Sequence, residues 1–182
     1  WIILAGRGFG KTRATIEWAI DRALENDECR IASVARTQND CDSVLIHGES
    51  GFLKCLRNRS IPFSYDRGII TLKNGSQIFF YSAETPEALR GPQFHFAICD
   101  ELAWWQYARD TWDNLMLTLR LGDNPKVVVA TTPRPIQIIR DLVENESSIV
   151  TKGTTYENRV NLSESFFKSI ITRYSKTSLG RQ

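Results

Sequence analysis

A chain of 182 residues, 42% hydrophobic and 24% charged, suits one soluble globular domain with a sizeable core. Its net charge of +2 gives no licence to read the whole surface as a nucleic-acid binder, and no apolar run approaches the length of a membrane span. The four cysteines (Cys29, Cys41, Cys55, Cys99) and two histidines (His47, His95) lack the spacing of a metal site, so the cysteines read as reduced structural thiols of a cytosolic protein.

The first stretch, Trp1-Ile2-Ile3-Leu4-Ala5-Gly6-Arg7-Gly8-Phe9-Gly10-Lys11-Thr12, is an apolar run, a glycine-rich turn and a Lys-Thr pair opening a helical pattern. That is the strand–loop–helix grammar of a phosphate-binding loop. Gly6, Gly8 and Gly10 let the backbone curl so that N–H groups from Gly6, Arg7, Gly8, Phe9 and Gly10 can face phosphate oxygens, and the helix adds its positive N-terminal end. Lys11 can reach the β- and γ-phosphates of ATP, and the Thr12 hydroxyl can ligate Mg²⁺. The strict pattern places a glycine where this chain has Ala5. A glycine-rich turn that binds nothing is the plain alternative. The chain opens inside an apparent strand and so reads as an excised piece of a longer one.

Further along, Thr12 to about Asn26 has helical apolar spacing, Arg30–Ala35 is a short strand, and Gln38–Ile46 and Gly51–Leu56 read as helices. Residues 63–65, Gly68–Leu72 and Gln77–Ser82 are β-rich, with Asn74-Gly75 as a hairpin turn. They read as antiparallel edge strands grafted onto an α/β pattern, the Asn-Gly turn facing solvent. Thr85–Leu89 is a helical turn, Phe94–Cys99 a buried strand, Tyr107–Leu119 a helix, and Lys126–Ala130 a central strand. Ile136–Asn145 makes another helix, Ser148–Lys152 a last strand and Glu164–Tyr174 a last helix. Strands alternating with helices imply a mainly parallel sheet covered on both faces, the fold of a P-loop NTPase of the additional-strand, catalytic-glutamate (ASCE) type with an antiparallel hairpin insertion. Residues 1–150 read as the ATPase core and 151–182 as a small lid or linker unit, the latter holding six Lys/Arg against two Asp/Glu.

The strand at 94–99 runs straight into Asp100-Glu101. Asp100 would bind the Mg²⁺ that bridges the phosphates, and Glu101 would polarise the water attacking the γ-phosphate. A carboxylate in that second position favours hydrolysis over transfer to a substrate hydroxyl, which disfavours a small-molecule kinase. Thr131-Thr132-Pro133 closes the next strand, where hydroxyls at the carboxyl end of a sheet sit beside the nucleotide. Trp104-Trp105 reads as an aromatic pair packed under the following helix, with an exposed partner surface as the alternative.

These segments together resemble the large terminase subunit of tailed bacteriophages and prophages. The resemblance rests on Ala5–Thr12, on Ser82–Gly91 (S-A-E-T-P-E-A-L-R-G), on Ala-Ile-Cys-Asp-Glu, on Val-Ala-Thr-Thr-Pro, and on Gly153–Leu162 with Leu179–Gln182. It implies the ATP-hydrolysing motor that moves double-stranded DNA into a procapsid. Its implied partners are the portal protein and small terminase subunit, as a homo-oligomeric ring on the portal and a monomer alone, in the bacterial host cytoplasm and off any membrane. Family members also carry a C-terminal nuclease, which is not expected within these residues, and an upstream adenine-contacting segment. The resemblance gives Arg7 a role at the γ-phosphate. It matches Arg90 to the Arg of the Leu-Arg-Gly stretch, and a finger on the neighbouring subunit's nucleotide is the role we assign it, a structural ion pair being the alternative. Two other readings stand beside the motor: a helicase-like nucleic-acid-dependent ATPase, and a non-catalytic nucleotide-binding scaffold.

Overall fold

The computed structural model describes residues 1–165. In chain order the elements are β1 (Ile2–Ala5), α1 (Lys11–Glu25), β2 (Arg30–Ala35), α2 (Gln38–Asp40), α3 (Phe52–Asn58), β3 (Phe63–Asp66), β4 (Ile69–Leu72) and β5 (Gln77–Ser82). There follow β6 (Phe96–Asp100), α4 (Ala108–Thr118), β7 (Lys126–Thr131), α5 (Gln137–Glu144) and β8 (Val150–Gly153). They build one eight-stranded sheet in the order β3-β4-β5-β2-β6-β7-β1-β8. The six strands from β5 to β8 in that order pair in parallel, and β3 and β4 add an antiparallel edge.

Alternation of side chains explains why the inner strands read as unbroken apolar runs. Ile3, Ile31, Ile98 and Val128 face one core with α1 and α3; Ile2 and Leu4, Ala32 and Val34, Ala97 and Cys99, and Val129 face the other with α4 and α5. Helix α1 buries Ile16, Ala19, Ile20 and Ala23, the spacing of a single helical face, and Trp18 meets Phe96 edge-on at 5.8 Å. All four cysteines are free and buried, and burial pushes Cys29, Cys41 and Cys55 up to about 11, which suits unreactive core thiols. Among the described residues no helix is long and apolar enough to cross a membrane.

Several expectations are refined. Residues 77–82 are not an edge strand: β5 pairs in parallel with β2 inside the sheet, and only β3 and β4 are antiparallel additions. The Asn74-Gly75 turn joining β5 to β4 signals only its antiparallel side, and nothing local marks the parallel pairing with β2 on the other. The helix from Gln38 widens into a π-type turn over Cys41–Ile46, after Thr37 Oγ1 accepts from the Asp40 N–H at 3.0 Å. The Asn74-Gly75 turn faces solvent at Gly75, as expected, but is also tied inward on its other side. Asn74 Nδ2 donates to Ala23 O at 2.8 Å, and Ser76 Oγ lies 2.9 and 2.8 Å from the carbonyls of Ala23 and Asn26, so the turn satisfies the end of α1. Strand β8 pairs with β1 across 150–153, so the sheet extends three residues past 150, and the helix expected to Tyr174 lies, beyond its first two residues, outside those described.

Ser76 is fully buried and also accepts from the Cys29 N–H at 3.0 Å. Ser76→Ala should therefore lower unfolding stability by about 1–3 kcal/mol, because backbone groups lose a buried partner. Urea unfolding with an unchanged slope checks this. A midpoint equal to wild type would mean that the turn does not support α1.

Candidate active site

The carboxyl ends of β1, β7 and β6 lie side by side, so the loop after β1, Thr131-Thr132 and Asp100-Glu101 meet at one edge. Around them is a cleft of about 350 Å³, lined among others by Arg7, Thr12, Arg36, Asp100, Glu101 and Trp104.

The loop bears the marks of an anion cradle. Gly8 and Gly10 have φ of 76° and 98°, values that glycine alone adopts without strain. Helix α1 starts at Gly10 with no side-chain cap and no acidic residue in its first turn, so its leading N–H groups and its positive end are left for an anion. A loop that offers N–H groups must dispose of its carbonyls elsewhere. Two are taken from outside: Thr155 Oγ1 donates to Arg7 O at 2.8 Å, and Asn158 Nδ2 to Gly8 O at 2.6 Å. The Phe9 ring lies against Gly153, where a Cβ would collide with it. Ala5 is accommodated because it is the last residue of β1, fully buried and in register with Gly153, and has no positive φ.

Lys11, 6% exposed, donates from Nζ to Ala5 O at 2.9 Å and Gly6 O at 3.1 Å, with Glu101 Oε1 at 3.5 Å. Thr12 Oγ1 donates to Asp100 Oδ1 at 2.9 Å, joining the loop to β6. Burial, followed by the Glu101 charge, raises Asp100 to about 7, against the opposing pull of the Thr12 hydroxyl and Lys11. Glu101 has φ 51°, left-handed for a residue with a side chain. Its Oε2 accepts from the Thr132 N–H and Oγ1, each at 3.0 Å. Thr131 Oγ1 instead accepts from the Ala103 N–H at 3.0 Å, so it holds the turn after β6 and not the cleft.

The structure thus brings together Gly6–Thr12, Asp100, Glu101 and Thr132, with Arg7 exposed at the mouth. Arg90 is not with them: it is exposed, after the short turn Pro86–Leu89, and does not line the cleft. The tryptophans divide. Trp105 is buried with its Nε1–H on Asp100 O at 2.9 Å, whereas Trp104 is 39% exposed beside the cleft. Sequence reasoning missed Arg36 and Asp40, paired at 3.0 Å, which reach the cleft because β2 adjoins β6. It also gave no role to Thr155 and Asn158. Position at a strand's carboxyl end was the available signal for Arg36.

Thr12 and Asp100 offer two hard oxygens, and a cation would relieve the charge that burial penalises at Asp100, so the pair suits Mg²⁺ completed by phosphate oxygens. Among the described residues there is no group of three or more His, Cys, Asp or Glu able to hold a metal unaided.

Comparison with known proteins gives the chain a family and its fold a set of relatives. The family described as "Terminase large subunit, T4likevirus-type, N-terminal" matches residues 2–182. Among solved structures, the large terminase of a thermophilic bacteriophage in complex with ADP shares the fold at TM-score 0.75 and 15% identity, covering 95% of this chain and 44% of that one. The ATPase domain of the Thermus phage P74-26 large terminase has TM-score 0.66 and 13% identity over 96% of this chain and 83% of that domain. The HK97 bacteriophage large terminase has TM-score 0.64 and 18% identity over 100% of this chain and 40% of its own. This chain therefore spans under half the length of the ADP-bound terminase and of the HK97 protein.

The raised Asp100 carboxyl gives a prediction with a definite sign. Between the ordinary value near 4 and about 7, the folded chain holds a proton that the unfolded chain has released, so folding stability falls as pH rises through that window. Asp100→Asn should be the more stable protein at pH 8 without nucleotide, its advantage growing from pH 4 to 7 by on the order of 1 kcal/mol per unit and staying flat above. Thermal unfolding of both proteins across pH tests it. A constant difference would show that Asp100 is not held protonated by its surroundings.

Proposed function

This chain belongs to the terminase large-subunit family, and we propose that it hydrolyses ATP as the motor domain of a viral DNA-packaging machine. The observation that carries the proposal is the Thr12–Asp100 hydrogen bond of 2.9 Å, with Lys11 and Glu101 beside it. It joins a phosphate-binding loop to a carboxylate pair on a different strand.

In this reading the N–H groups of Arg7, Gly8 and Gly10 and the start of α1 hold the phosphates, whereas the Gly6 N–H is taken by Gly153 O at 3.3 Å and the Phe9 N–H by Gly6 O at 3.4 Å. Lys11 exchanges its bonds to Ala5 O and Gly6 O for β- and γ-phosphate oxygens. Thr12 and Asp100 would hold Mg²⁺, which would supply charge neutralisation to the phosphates. Glu101 takes a proton from the water whose oxygen attacks the γ-phosphorus, and the bond from that phosphorus to the bridging oxygen breaks, leaving ADP and phosphate. Thr132, bonded to the Glu101 carboxylate, is placed to respond to loss of the γ-phosphate. Arg7 stands at the mouth of the cleft as a cation for the γ-phosphate. The thermophilic-phage large terminase solved with ADP has this fold, which supports the nucleotide assignment.

Double-stranded DNA, the portal and the small terminase subunit are the proposed partners, and the host cytoplasm the proposed location. A structural relative is described as part of the phage phi29 genome packaging motor assembly. Residues beyond β8 are proposed as the lid or linker. Nuclease chemistry is not assigned to this chain. Arg90, exposed and outside its own cleft, suits a group that serves the neighbouring subunit of a ring.

Steady-state Mg-ATP hydrolysis per subunit should rise with protein concentration, and Glu101→Gln should abolish it, a loss of 100-fold or more on the scale of about 10²–10⁴ for general-base catalysis. Nucleotide binding without turnover at any concentration would sink the hydrolytic reading in favour of a scaffold. Arg90→Ala should leave nucleotide binding by the single subunit intact and cut hydrolysis in the assembled ring by about 10³-fold, the lower figure for arginine fingers. An unchanged ring rate would return Arg90 to a structural role.

A further inference from the structure

We infer that Trp104 is a positioning residue for Glu101, acting through the hydroxyl of Thr132. The inference rests on the reading of Glu101 as the water-activating carboxylate.

Four hydrogen bonds and one cation–π contact carry it. Trp104 Nε1 donates to Thr132 Oγ1 at 2.8 Å, and Thr132 Oγ1 lies 3.0 Å from Glu101 Oε2. Arg134 lies 4.0 Å from the centre of the Trp104 ring and donates to Ala103 O at 3.0 Å, so the ring is held between the cleft and a guanidinium. The donor inventory settles the direction of the relay. An indole N–H can only donate, so Thr132 Oγ1 accepts from it, and the single hydroxyl proton is left for Glu101. Remove the indole N–H and the hydroxyl becomes a free rotor, able to swing its proton elsewhere. The Thr132 N–H, also 3.0 Å from Oε2, fixes one line of approach, and the oriented hydroxyl fixes the second. Together they hold the carboxylate plane and leave Oε1, paired with Lys11 Nζ at 3.5 Å, as the oxygen that meets water once Lys11 turns to the phosphates.

A role confined to packing does not account for this. Trp104 is 39% exposed, while its neighbour Trp105 is the buried one. A ring kept half in water but bonded by its one polar atom to a cleft hydroxyl is placed for that bond. The relay also links the cleft to the surface: a change at Glu101 reaches Thr132, then an exposed indole stacked on Arg134.

Trp104→Phe keeps a ring under Arg134 and deletes only the donor. The expected result is a fall in kcat of about tenfold with the dissociation constant of a fluorescent ADP analogue unchanged, the size of one net hydrogen bond. Thr132→Val should lower kcat similarly, Thr132→Ser should restore it, and the Trp104→Phe, Thr132→Val double variant should be no slower than Thr132→Val alone. A second readout needs no turnover: the Trp104 indole N–H resonance, identified by its loss in Trp104→Phe, should shift in both Glu101→Gln and Thr132→Val. Unchanged kcat in Trp104→Phe, multiplicative rate losses in the double variant, or a resonance indifferent to Glu101→Gln would each overturn the relay. A wild-type chain that binds nucleotide without hydrolysing it, while the resonance still shifts, would remove the hydrolytic reading and with it the positioning role, leaving only the bonds themselves.

Discussion

Much of the site follows from burying one carboxylate. Asp100 is 7% exposed at the end of β6, next to a second acid, and burial makes its charged form expensive. Such a group must be neutralised, hydrogen-bonded or given a cation, and each remedy appears here. Thr12 donates to it, Lys11 lies close enough to oppose the shift, and the hard-oxygen pair it makes with Thr12 is open to a divalent ion. A core that only had to be stable would place an apolar residue there. Keeping an acid accepts lower stability in exchange for a site that attracts a cation.

The parallel sheet then decides what else can be near. Because β7 lies between β1 and β6, the loop, the acidic pair and the threonines come from three adjacent strand ends, though they are about 90 and 30 residues apart along the chain. Glu101 can turn back across this edge because it takes a left-handed conformation at φ 51°, a cost of about 1–3 kcal/mol for a residue with a side chain. The surroundings meet that cost through the Glu101 N–H on Ala130 O at 2.7 Å and the two Thr132 bonds to its carboxylate. The strain sits where a strand would otherwise carry the side chain into the core.

How much of this was legible in the sequence depended on whether the signal was local. The loop from Ala5 to Thr12, the Asp100-Glu101 pair and the threonines after β7 each announce themselves within a few residues, as apolar run followed by chemistry. The parallel strands did so too, because burial on both faces removes alternation. Strand β5 misled because a local Asn-Gly turn announces its antiparallel neighbour β4, while its parallel partner β2 lies far off in the chain. Arg36 and Asp40 could not be read as site residues until the order of strands placed β2 beside β6. Thr155 and Asn158 were harder still, since nothing near them signals that their partners are carbonyls about 150 residues earlier.

Those carbonyl contacts bear on why a loop with alanine at its first position is tolerated. A phosphate-binding loop needs its N–H groups convergent and its carbonyls occupied elsewhere. With Arg7 O and Gly8 O bonded to Thr155 and Asn158, and the Phe9 ring against Gly153, the fastening comes from outside the loop. The first position of the motif is then relieved of conformational duty, and Ala5 serves as a strand residue paired with Gly153. Shape is shared between two segments far apart in sequence: the Phe9 ring of one fills the space that the absent side chain of Gly153 leaves in the other.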